Sequence, residues 1–255
     1  MTETTFYHGL LIGFAAVALL TFPVLFFVTA PYGRHAREGW GPKISSTLGW
    51  IGMEAPSPIV FAACFALGDR KTDPVSLIFL LLWEAHYVYR AFVFPFRRRG
   101  AQRDMPLSIA ASGFTFNAIN GYLNGRYLFS FEPAHLAAGA WLSDPRLYLG
   151  IGLFIAGYAI NHHADRVLMN LRKPGETGYK IPHGGLYRFI SCPNYFGEIV
   201  EWFGWALLTW SPAGLAFAVW TTANLLPRAI SHHAWYKERF PDYPRERKAL
   251  VPLIL

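Results

Sequence analysis

The sequence predicts an all-α integral membrane protein of seven transmembrane helices, with its N-terminus outside and its C-terminus cytosolic. Three observations predict it. Of 255 residues, 53% are hydrophobic and only 15% charged, against roughly 25% charged in an ordinary soluble domain. Apolar segments recur from end to end with no Ser/Gly-rich linker, which argues for a single domain over 1–255. The intervening loops also differ sharply in basic charge, the pattern that sets membrane orientation.

A span needs about 20 mostly apolar residues. Candidates lie at 6–29, 45–68, 75–96, 106–129, 146–165, 196–210 and 212–227. The first lacks a basic leader and a small-residue cleavage site, so it reads as a retained span rather than a signal peptide. The second carries Glu54 just ahead of Pro56 and Pro58. A kinked helix beside a carboxylate suits a cavity wall. The third contains "LLLWEAHYVYRAFVF", in which Glu84, His86, Tyr87, Tyr89 and Arg90 fall within seven positions. Ionisable groups at membrane depth are costly, and they face a protein interior or a water-filled cavity. The bland alternative is an ion pair of Glu54 or Glu84 with Arg90 or Arg126 that serves packing alone. For Glu84 that alternative is the expectation. The last two spans are joined by the tight connection "SPAG".

With the N-terminus outside, the inner loops are 34–43, 97–103 and 166–194, plus the C-terminal tail. They hold 18 of the 23 Lys and Arg residues, which puts the working loops of the C-terminal half in the cytosol. The net charge of +7 therefore reflects orientation, and no module for reading nucleic acid accompanies it.

Two inner segments, 166–195 and 228–255, are too long for mere connectors. Pro174, Gly175, Gly178, Pro182, Gly184 and Gly185 turn the first repeatedly. The basic set Arg97, Arg98, Arg99, Arg103, Arg172, Lys173, Lys180 and Arg228 has two readings. It satisfies the positive-inside pattern and attracts anionic headgroups, or it forms a pocket for a phosphorylated ligand. Asn161, Asp165, Asn170, Tyr179, Asn194 and Tyr236 lie in the same regions and could supply ribose and amide contacts. Neither a G-x-G-x-x-G after a strand nor a G-x-x-x-x-G-K-[ST] occurs, so any nucleotide is held without those frames. Two cysteines, Cys64 and Cys192, make no disulfide framework. The pairs His162–His163 and His232–His233 lack H-x-x-H or H-x-x-x-H spacing, and no metal is expected.

The run "NHHADRVLMNLRKPGETGYKIPHGGLYRFISCPNYFGEIVEW" and the tail "HHAWYKERFPDYPRERKALVPLIL" resemble the steroid 5α-reductases (3-oxo-5α-steroid 4-dehydrogenases). Earlier echoes are "PYGRH" at 31–35, "WIGMEAPS" at 50–57 and "HYVYRAFVFP" at 86–95, so the resemblance covers essentially the whole chain. It implies a seven-helix membrane fold, NADPH as reductant, and hydride transfer to the C4=C5 bond of a 3-oxo-4-ene steroid that enters from the bilayer. It also implies that Glu54 and Tyr87 meet the substrate's C3 carbonyl. The cofactor set it carries over is Arg99, Asn161, Asp165, Arg172, Tyr179, Asn194, Glu198, Arg228, His232 and Tyr236. Trp50 and Trp202 are candidate steroid contacts, with interfacial anchoring as the alternative. On this basis 1–130 contributes the substrate cavity and 146–255 most of the NADPH site. Two features depart from the pattern: the basic loop "RRRGAQRDMP", and Glu84, which has no counterpart. Enoyl-thioester reductases share the C-terminal region, and isoprenylcysteine or phospholipid methyltransferases carry a similar frame around S-adenosylmethionine. "LRKPGETGYKIP", the extra N-terminal spans and Glu54 with Tyr87 favour the reductase. A bacterial inner membrane or an endoplasmic reticulum suits such a chain, with membrane lipids around it and no obligatory protein partner.

Overall fold

A computed structural model describes residues 2–29, 35, 38–98, 104–131, 134–136, 138–173, 176 and 178–255. Arg99 and Arg103 lie outside the described residues, as do 31–34 of the "PYGRH" segment. The described chain is mostly helical.

Helix α1 spans Glu3–Phe27, capped by Thr2. Helices α2 (Ser46–Glu54) and α3 (Pro56–Leu67) form one rod interrupted at Ala55. Pro56 has no N–H to donate backwards, so the ladder breaks there as the Pro56–Pro58 pair predicts. Helix α4 (Pro74–Val88) is capped by Asp73, whose carboxylate accepts from the Val75 N–H at 3.0 Å. It continues through a wide turn at Tyr89–Val93 into α5 (Phe94–Arg97). The turn widens because Pro95 cannot donate, and the Phe94 N–H reaches back to the Tyr89 carbonyl. Then come α6 (Leu107–Phe129), the short α7 (Ala138–Trp141), α8 (Pro145–Asn170), α9 (Pro193–Thr209) and α10 (Pro212–Arg239).

Two helices outrun their expected ends. Helix α8 continues to Asn170 rather than 165, and α10 to Arg239 rather than 227. Polar residues end an apolar run without ending a helix. On α10 the buried Arg228, His232 and Tyr236 recur every four residues and keep one face packed.

Among the described residues, three helical stretches are long and apolar enough to cross a membrane: Glu3–Phe27, Ser46–Leu67 and Pro74–Arg97. Leu19, Leu20 and Phe27 of α1 point outward, Phe27 at 88% exposure, as in a membrane-embedded protein. The remaining long helices are less apolar because their inward faces are polar, with Asn117, Asn120 and Asn124 on α6 and Asn161 and Asp165 on α8.

An aromatic core of Phe61, Phe79, Trp83, Trp202 and Trp205 joins α3, α4 and α9. A second cluster, around Tyr7, Phe14, Leu123 and Ala216, ties α1 to α6 and α10. Arg126 forks onto Glu3, with both N–H···O distances at 2.8 Å. That leaves the expectation for Glu84 unmet, since it pairs with neither Arg90 nor Arg126. One of its oxygens is buried without a hydrogen-bond partner among the described residues. After α10 the tail doubles back beneath the start of α9. Ser191 N–H donates to Lys248 O at 2.8 Å and Cys192 N–H to Ala249 O at 3.2 Å.

Candidate active site

The site is assembled by a close approach of α8 to α9. Gly157 and Gly197 face each other across it, and a Cβ on Gly197 would fall 2.5 Å from Asn161 N and 2.7 Å from Gly157 O. Only glycine lets two helix backbones come so near. One turn further along α8 the chain presents Asn161 and then Asp165, and the facing turn of α9 presents Asn194 and Glu198. These four interlock. Asn161 Nδ2 donates to Asn194 O at 3.0 Å and Glu198 Oε2 at 3.4 Å, and Asn194 Nδ2 donates to Asp165 Oδ1 at 3.2 Å.

Arg90 closes this group from the third rod. The wide turn at Tyr89–Val93 carries its guanidinium among three carboxylates: Glu54 at 3.8 Å, Asp165 at 3.5 Å and Glu198 at 3.9 Å. It also lies over the Trp50 and Phe94 rings, 4.7 Å from each centroid. Trp50 braces it a second time, donating its indole N–H to Arg90 O at 3.1 Å. Arg98 covers the Trp50 ring at 5.0 Å and donates to Ser46 Oγ at 2.8 Å. Burial, with the Arg90 charge adding to it, brings Arg98 down to about 10. Trp50, expected beside a steroid, is thus the platform for two guanidinium groups. Glu54 has a second partner in Asn117, whose Nδ2 lies 3.5 Å away.

Tyr87 occupies the adjoining aromatic pocket. It is 3% exposed, with Trp83 at 4.9 Å and Trp202 at 5.6 Å between ring centroids. Trp202, expected at the substrate, is therefore beside Tyr87 and buried. The Tyr87 hydroxyl lies against Ser57 and Asn120. Glu54 and Tyr87, expected to act together, are neighbours whose nearest polar partners differ. Next to Tyr87, His86 Nδ1 lies 2.8 Å from Oε1 of the fully buried Glu201.

The remaining expected residues form a rim. Arg228 Nε donates to the Tyr195 hydroxyl at 3.2 Å, and that hydroxyl is 3.2 Å from His232 Nε2. His232 Nδ1 meets His35 Nε2 at 2.9 Å. Tyr236 stacks on Tyr243 with centroids 5.2 Å apart. Arg172 lies over the Tyr179 ring at 5.8 Å, and Tyr179 meets Trp235 at 4.9 Å. In the same loop Lys180 pairs with Glu176 and holds that carboxyl below its usual range.

Sequence reasoning misses the Asn117–Asn120–Asn124 stripe, Glu201 and Tyr195. The stripe has a signal, three asparagines at spacings of three and four on one span. Glu201 has one too, falling one turn after Glu198.

Fold and site together define a membrane-embedded helical enzyme, with a buried tyrosine set beside a shared cluster of carboxylates, amides and one arginine. A profile for 3-oxo-5-alpha-steroid 4-dehydrogenase matches residues 103–255. The chain is 42% identical to steroid 5-alpha-reductase DET2 of Gossypium hirsutum over 99% of both chains. It is 44% identical to 3-oxo-5-alpha-steroid 4-dehydrogenase 1 of Bos taurus over 94% of this chain and 93% of that one. The corresponding protein of Homo sapiens is 41% identical over 88% of this chain and 85% of its own length. The chain belongs to the 3-oxo-5-alpha-steroid 4-dehydrogenase family, oxidoreductases of steroid metabolism.

Proposed function

We propose that the protein reduces the C4=C5 double bond of 3-oxo-4-ene steroids, such as testosterone or progesterone, to 5α-dihydrosteroids with NADPH as reductant. The observation that carries this reading is the junction at Arg90. It ties Glu54, the carboxyl neighbouring a buried phenol suited to a carbonyl, to the Asn161–Asp165–Asn194–Glu198 group, suited to a nucleotide.

The donor set fits NADPH by its chemistry. Arg228 and Arg172 offer forked cations for phosphate oxygens. Asn161 and Asn194 offer amides, while Asp165 and Glu198 can accept from ribose hydroxyls or a carboxamide. Tyr179, His232 and Tyr236 add rings and polar tips along the rim. Arg99 joins this set on the family resemblance alone. NADPH held there would supply a hydride to C5.

As that addition proceeds, electron density moves through C4 to the C3 oxygen. A hydroxyl aimed at that oxygen stabilises the developing enolate more than the ground state. Tyr87 is that donor. Glu54, held by Arg90 and Asn117, is the carboxyl that shares proton movement around the carbonyl. The aromatic walls Trp83 and Trp202 exclude water and offer flat apolar faces to a steroid nucleus, and Trp50 keeps Arg90 in register. C4 gains a proton to complete the product. The substrate reaches this interior from the bilayer. Seven spans with the N-terminus outside put the α8–α10 rim, and hence NADPH, on the cytosolic side, in a bacterial inner membrane or an endoplasmic reticulum.

The test supplies purified protein in detergent with testosterone and with NADPH deuterated at its transferable position. Deuterium at C5 with 5α geometry is the expected result by mass spectrometry. A product without the label, or no NADPH-dependent product from any 3-oxo-4-ene steroid, overturns the reading.

A further inference from the structure

The orientation of one buried amide beside Tyr87 is dictated from another helix. The Trp205 indole N–H can only donate, and it donates to Asn124 Oδ1 at 2.9 Å. The amide nitrogen of Asn124 is thereby turned towards Asn120, donating to its Oδ1 at 3.0 Å and its backbone carbonyl at 3.1 Å. With its oxygen turned to Asn124, Asn120 presents its own Nδ2 away from that contact. Asn120, Asn124, Ser57 and Trp205 are all fully buried. Asn120 Nδ2 and Ser57 Oγ complete no hydrogen bond among the described residues, and both side chains lie against the Tyr87 hydroxyl. Leaving a buried donor unmatched is costly, so two of them converging on one hydroxyl call for an explanation.

We propose that Asn120, seconded by Ser57, is a positioning residue for Tyr87. Once the steroid is bound it donates to the phenolic oxygen, so that the tyrosine proton points out of the protein network and onto the carbonyl oxygen of the steroid. This rests on the function proposed above and deepens it. A tyrosine hydroxyl has one proton and its oxygen accepts as well. Donors on the accepting side leave the proton for the ligand and strengthen its hydrogen bond cooperatively. Asn120 itself makes and breaks no bond. The hydride still goes to C5 and the proton to C4, while Asn120 stabilises the charge that Tyr87 takes up as the C3 oxygen turns into an enolate. An acceptor at position 120 would do the reverse, drawing the Tyr87 proton to itself.

The test is a double-mutant cycle of Asn120→Asp and Tyr87→Phe, with kcat and KM measured for a 3-oxo-4-ene steroid and NADPH. Asn120→Asp exchanges the donor for an acceptor at constant volume. It is expected to lower kcat on the order of 10–100-fold and to leave the KM for NADPH unchanged. In the Tyr87→Phe background the same change is expected to cost nothing further. Losses that multiply in the double variant overturn the assignment, because they mean Asn120 acts without Tyr87. If Asn120→Asp does not fold, Asn124→Asp carries the test. That variant keeps an acceptor for Trp205 but loses the donor that orients Asn120, so kcat should fall in protein that still melts cooperatively. An unchanged kcat in Asn124→Asp also overturns the assignment. A parent protein that turns over no such steroid removes the functional reading and this assignment together, whereas an active parent with multiplying losses removes the assignment alone.

Discussion

Arg90 shows how much one side chain can depend on its shape rather than its charge. Its guanidinium meets Glu54, Asp165 and Glu198 at 3.5–3.9 Å while its faces cover Trp50 and Phe94. A lysine ammonium is a compact point charge and cannot address three carboxylates and two rings at once. Arg90→Lys is therefore expected to fold but to lose at least about 10-fold in kcat/KM, the effect of roughly 1.4 kcal/mol. Arg90→Ala leaves the carboxylates uncompensated in a mostly buried setting, which costs about 3–5 kcal/mol. Thermal melting in detergent alongside steroid turnover separates the two outcomes. A lysine variant with full activity would mean that the cluster needs only a positive charge.

At the scale of elements, the α8–α9 contact is what brings the polar groups together. Gly157 and Gly197 oppose each other, and further along Gly150 and Gly204 approach Leu208 and Phe154 in the same way. The pairs recur seven residues apart along both helices, so the backbones stay close through two turns. Gly197→Ala puts its methyl group onto the backbone of Asn161 and Gly157. Overpacking of that kind costs about 1–3 kcal/mol. The helices can relieve it only by separating, which pulls Asn161 and Asp165 away from Asn194 and Glu198. The expected result is a raised KM for NADPH together with a lower melting temperature. Gly152→Ala is the control, since a Cβ there meets nothing within 4 Å, and it should leave both values unchanged. Equal effects from the two substitutions would refute the close-approach argument.

For the whole molecule, what the sequence makes legible divides by range. The long helical segments are legible because an apolar run of sufficient length is a local property, and Pro56 announces its own break. The residues of "NYFGEIVEW" are legible as a group because they share one helix. Arg90 as the shared partner of three carboxylates is not, because Glu54, Asp165 and Glu198 come from three different helices and meet only on packing. The same holds for Glu201, which finds His86 across the α4–α9 contact, and for the face on which the α6 asparagines lie. The closure of the C-terminal tail is equally long-range, and it controls where α9 begins. Ser191 Oγ lies 2.6 Å from His233 Nδ1 and 2.6 Å from the Tyr243 hydroxyl, clamping α10 and the tail to the residues just before Pro193. Burial first, and then the charges of Lys237 and Lys248, hold His233 below its ordinary value of 6.5. The unfolded chain therefore takes up a proton that the folded clamp resists. This contribution to stability is present in full above pH 6.5 and is lost as the pH falls from there towards the lowered folded value. Melting in detergent should accordingly show a stability that declines on acidification through that window. His233→Gln cannot titrate, so it should flatten this part of the slope while leaving the neutral-pH fold in place. An identical slope in the variant would mean that the acid sensitivity arises elsewhere and that the clamp is held by Tyr243 and the backbone bonds alone.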